Sequence, residues 1–77
     1  MIGEVICQRR LRAGLSQADL AGWAGLEQSY LSLLEHGKRM PGVEILYRLA
    51  SAFKVKPTTL FAEIDQRWRE MKSPPLG

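Results

Sequence analysis

Glycine at position 25 constrains this chain more than any other single residue. On its N-terminal side, Ser16 and Asp19 have the spacing of a capping box, which starts a helix that buries Leu20, Ala21 and Ala24. On its C-terminal side, the spacing predicts a helix from about Gln28 to His36 with Leu31 and Leu34 turned inward. Glycine enters positive φ without a Cβ clash, so the backbone can reverse sharply between the two. Both helices are too short to be stable alone and must pack across that turn.

The rest of the chain supplies partners for them. Ile2, Val5, Ile6, Arg9, Arg10 and Ala13 recur at helical spacing, predicting a first helix from about residue 2 to Ala13, stopped by Gly14. After the basic loop Gly37-Lys38-Arg39-Met40-Pro41-Gly42, a fourth helix is expected from Val43 to Phe53, with Ile45, Leu46, Leu49, Ala50 and Phe53 on its apolar face. Pro57 suits the first turn of a fifth helix running through Leu60, Phe61, Ile64, Trp68 and Met71. Nothing reads as a strand. The expected fold is all-α, a five-helix domain over residues 1–72, with residues 73–77 as a flexible tail.

Composition narrows the function by exclusion. A chain of 77 residues has little room for an enzyme cleft with its own supporting shell. Cys7 and His36 are single residues of their kinds, so a metal finger or a disulfide framework cannot be built within one chain, and no cofactor is expected. Cys7 reads as an ordinary small helical residue, and His36 as a helix-end residue favoured by the dipole. No leader pattern and no apolar run long enough to span a bilayer is evident, so no membrane association is expected and a reducing cytoplasm is the expected compartment. The net charge of +3 suits a polyanionic partner without singling one out.

Two short helices across a glycine turn fit the logic of a helix-turn-helix, whose second helix enters the major groove of DNA. The register is extensive: Arg10, Leu15-Ser16-Gln17, Leu20-Ala21, Gly25, Tyr30-Leu31-Ser32, Glu35-His36-Gly37, Pro41, Leu49-Ala50 and Val55. From Ile2 to Phe61 it closely resembles the Cro and lambda-repressor-type, or XRE-like, helix-turn-helix family. The resemblance implies a lambda-repressor-like DNA-binding domain whose helix-turn-helix is formed by the second and third helices.

It also implies roles for particular residues. Arg10 and Glu35 would form an ion pair tying the first helix to the end of the third; the alternative is two solvated surface charges. Gln17 would bond a backbone phosphate, or else be a polar residue on an exposed first turn. Gln28 has the donor–acceptor pair to grip adenine N7 and N6, and Ser29 lies beside it. Ser32 and Leu33 follow one turn later, and Leu33 departs from the long polar residue common in the family, leaving apolar contact with a thymine methyl or a face for protein. Lys38 and Arg39 in the loop are candidate phosphate contacts, or else a solvated loop pair. Arg9 and Arg12 on the first helix are weaker candidates, the alternative being that they solvate its outer face, and Tyr30 reads as structural with a phosphate-directed hydroxyl.

Family members commonly bind as twofold dimers, with recognition helices about 34–36 Å apart on a palindrome. The candidate dimer surface is the stripe Phe61, Ile64, Trp68 and Met71; the alternative is that the fifth helix folds back and buries it. Trp23 either packs against the first or fourth helix or adds to an interaction surface. The leading expectation is a homodimeric regulator of transcription bound to double-stranded DNA. Two others stand beside it: a DNA-binding antitoxin whose Trp68 face or Pro-rich tail holds a toxin, and a protein-interaction module that has lost DNA binding.

Overall fold

The computed structural model describes residues 1–72, and the tail expected at 73–77 lies outside them. Five helices follow in order: α1 Ile2–Arg12, α2 Gln17–Ala24, α3 Gln28–Glu35, α4 Val43–Ala52 and α5 Pro57–Lys72. Their ends are set by local chemistry. At the start of α2, the Asp19 amide donates to Ser16 Oγ at 3.0 Å, and the Ser16 amide donates to Asp19 Oδ2 at 3.4 Å. At its end, Gly25 takes φ 71° and the Leu26 amide returns to the Ala21 carbonyl at 2.8 Å. α3 begins less firmly, because Glu27 at its N-cap makes no side-chain capping bond.

The core draws on all five helices. Val5 and Ile6 come from α1, Leu20, Ala21 and Ala24 from α2, Leu31 and Leu34 from α3, Leu46, Leu49, Ala50 and Ala52 from α4, and Leu60 from α5. Burying each large aliphatic side chain contributes about 1.5–3 kcal/mol, and six of these are sealed completely. Phe61 and Ile64 pack on the edge of this core. Among the described residues, no helix is long and apolar enough to cross a membrane.

One contact positions the end of α3 and was not visible in the sequence. Gly3 is buried where α1 runs against the last turn of α3. A Cβ on Gly3 would stand 2.1 Å from the Leu34 carbonyl oxygen and 2.8 Å from that of Glu35. Glycine is required there because backbone meets backbone.

Candidate nucleic-acid interface

The site is built from a sealed ion pair outward. Arg10 Nε donates to Glu35 Oε2 at 2.7 Å and Nη2 to Oε1 at 3.0 Å, a bidentate grip. Nη1 of the same guanidinium donates to the Leu15 carbonyl at 2.9 Å. Side-chain exposure is 12% for Arg10 and 2% for Glu35. Burial pushes the Glu35 carboxyl up, but the bonds from Arg10 and Gln17 and the Arg10 charge outweigh it and hold the group below the usual glutamate range. The Glu35 bond outweighs the cost of burial at Arg10 and raises its guanidinium further. One carboxylate, on the last turn of α3, thus joins α1 through Arg10 and the first residue of α2 through Gln17.

Gln17 belongs to this network, which the sequence did not show. Its Nε2 donates to Glu35 Oε1 at 3.0 Å, so one amide hydrogen is turned inward. The second hydrogen and the carbonyl oxygen remain for an outside partner. The first backbone N–H groups of α2 lie beside them with the positive end of the helix dipole.

α3 presents its other face to solvent. Gln28 with Ser32, and Ser29 with Leu33, are each four residues apart, so these side chains form one stripe along the helix. Gln28, Ser29 and Leu33 are exposed, while Ser32 is half-buried and its hydroxyl lies 3.5 Å from His36 Nδ1. His36 donates through Nδ1 to the Ser32 carbonyl at 2.8 Å, a helix-end bond. Tyr30 is half-buried and packs on the core. Lys38 and Arg39 are exposed in the loop after α3 and take part in none of the ion pairs among the described residues.

Two expected placements gain partners or divisions that the sequence did not show. The guanidinium of Arg9 grips both oxygens of Glu63 on α5, with Nε to Oε1 at 2.9 Å, and lies 5.8 Å from the centre of the Phe53 ring. No local spacing marks Glu63 as its partner, since the two are 54 residues apart. The stripe on α5 is divided as well. Phe61 and Ile64 are half-buried, and Phe61 meets Tyr47 edge-on at 5.8 Å, whereas Trp68 and Met71 are exposed. Sequence reasoning also missed Arg48 on α4, which donates to the Gly25 carbonyl at 3.3 Å and to Glu44 at 3.0 Å. It ties α4 to the turn between α2 and α3.

This geometry agrees with what similarity shows. Residues 8–60 match the helix-turn-helix family model. The HTH-type transcriptional regulator y4dJ of Sinorhizobium fredii, itself uncharacterized, is 36% identical over 66 residues, covering 86% of each chain. Among solved structures, the restriction-modification controller protein C.AhdI from Aeromonas hydrophila superposes with a TM-score of 0.73 at 35% identity, over 78% of this chain and 91% of that one. The biofilm master regulator SinR, solved in complex with DNA, gives 0.71 at 35% identity, over 79% of this chain and 98% of that one. The chain belongs to the XRE, or Cro/lambda-repressor-type, helix-turn-helix family of DNA-binding transcriptional regulators.

Proposed function

We propose that this protein is a sequence-specific transcriptional regulator that binds a palindromic operator as a homodimer. The observation that carries the reading is the contrast between the two faces of α3. Its inner face is locked by Leu31, Leu34 and the buried Arg10–Glu35–Gln17 network, while Gln28, Ser29 and Leu33 stand outward. A rigid helix with an unspent polar and apolar stripe is suited to reading base edges. Gln28 grips an adenine, Ser29 and Ser32 bond base edges, and Leu33 meets a thymine methyl. Gln17 holds a phosphate through its second amide hydrogen, and Lys38 and Arg39 follow the backbone. Similarity to a controller protein and to a regulator solved on DNA supports the same reading.

Dimerisation is assigned to the distal half of α5. Trp68, at 48% exposure, and Met71 extend beyond the part of α5 that Leu60, Phe61 and Ile64 attach to the core. A second copy packed there would cover apolar surface and set the spacing of two recognition helices.

Selection of bound sites from a random duplex library, with the mass of the complex measured, tests the reading. A twofold motif and a mass of two chains per duplex are expected. Gln28→Ala should then cost about 1–3 kcal/mol on the selected operator and little on random duplex. Equal losses on both would remove Gln28 from base reading, and recovery of no motif would overturn the function.

A further inference from the structure

A second surface lies on the far side of α2. Trp23 is 59% exposed, and with Ser51, Ala52 and Lys54 it walls an open cleft of about 480 Å³ between the C-terminal ends of α2 and α4. Trp23 is six residues beyond Gln17, about 9 Å further along the helix axis. No wall residue belongs to α3, to the loop after it or to the first turn of α2. Beside Trp23, Gly22 is exposed within α2, and a Cβ there would meet nothing within 4 Å. The fold therefore does not require glycine, a poor helix former, at this position. What glycine leaves is a bare stretch of helix that another chain can approach closely.

On the α4–α5 side the charge beside the cleft is positive, while the one acidic group a turn before Trp23, Asp19, turns its carboxylate back to the Ser16 amide. Lys54 and Lys56 are exposed and enter none of the ion pairs among the described residues. They stand just before α5, whose first turn carries no acidic residue to offset the positive end of its dipole. An occupant must bring both negative charge and an apolar group. A DNA duplex supplies phosphates but keeps its base faces stacked, so it would satisfy the lysines and leave Trp23 uncovered. We infer that this cleft receives an acidic segment of a partner protein, with one apolar or aromatic side chain seated against Trp23 and carboxylates facing Lys54 and Lys56.

The test titrates the isotope-labelled full chain with a short, end-blocked peptide of aspartate and glutamate around a central phenylalanine. The same peptide made with asparagine and glutamine, and a random DNA duplex, are the other arms. The acidic peptide should saturably shift the Trp23 indole and the Lys54 and Lys56 amides, and raised salt should weaken it. Trp23→Ala, and separately Lys54→Asn with Lys56→Gln, should each weaken binding about tenfold or more, the loss typical of an anchor residue. Asparagine suits position 54, where φ is 61°. Equal response to the neutral peptide, shifts confined to other residues, or no saturation by about 1 mM, already a weak affinity, would overturn the inference. Tighter binding of random duplex to the same residues would make the patch a DNA-backbone surface and overturn it as well.

Discussion

Arg9 and Arg10 are neighbours on α1, yet the pairs they make differ in kind. Arg10 reaches Glu35 in a nearly sealed site, at exposures of 12% and 2%, and every buried side-chain polar atom among the described residues has a partner. Arg9 reaches Glu63 on α5 at 21% and 30%, and Arg67 reaches Glu4 in a still more open setting. The reading end is therefore held from within by a buried charge network and a backbone contact at Gly3. α5 is anchored at its start by Leu60 and along its length by charges that water can reach. A protein that must present a fixed base-reading stripe needs the first kind of restraint. Under the proposed function, the second kind suffices for a distal α5 that packs on a second copy.

The largest expected effect comes from breaking the sealed pair. Arg10→Met should cost about 3–5 kcal/mol in chemical unfolding, because Glu35 stays buried without its cation. Arg10→Met with Glu35→Leu should recover most of that loss, and additive losses in the cycle would mean the pair is not coupled. Acid probes the same group. The Glu35 carboxyl is held below its ordinary value of 4.5, so its contribution is complete above that value and is lost as pH falls through the lower folded value. The double variant should lose less stability on acidification below 4.5 than the parent chain does.

Gly3→Ala comes next. A methyl group 2.1 Å from a backbone oxygen must push α1 off the end of α3, at a cost approaching about 3 kcal/mol. Melting near that of the parent would show that this contact yields easily and that the reading end is softer than the comparison holds. Trp68→Ala tests the other side. It should weaken self-association by about 2 kcal/mol while leaving the monomer folded and its half-site affinity intact. A melted monomer would instead place Trp68 in the core. Glu63→Gln should be the mildest change, at about 0.5–1 kcal/mol and shrinking as salt rises. A loss as large as that of Arg10→Met would erase the distinction between the two regions.

The amino-acid sequence alone determined the elements whose cause is local. The Ser16–Asp19 capping box, the positive φ at Gly25, the stop at Gly14 and the apolar spacing of each helix act over a few residues, so five helices and the turn between α2 and α3 could be read directly. The resemblance added the pairing of Arg10 with Glu35, which no local rule contains. Tertiary structure decided what depends on distance through space. It turned one hydrogen of Gln17 inward, paired Arg9 with Glu63, and linked Arg48 to the Gly25 carbonyl. It also brought Gly3 against the end of α3 and split the α5 stripe into half-buried Phe61 and Ile64 and exposed Trp68 and Met71. Helix periodicity says which residues share a face, but only packing against α1 and α4 says how far along α5 that face is covered.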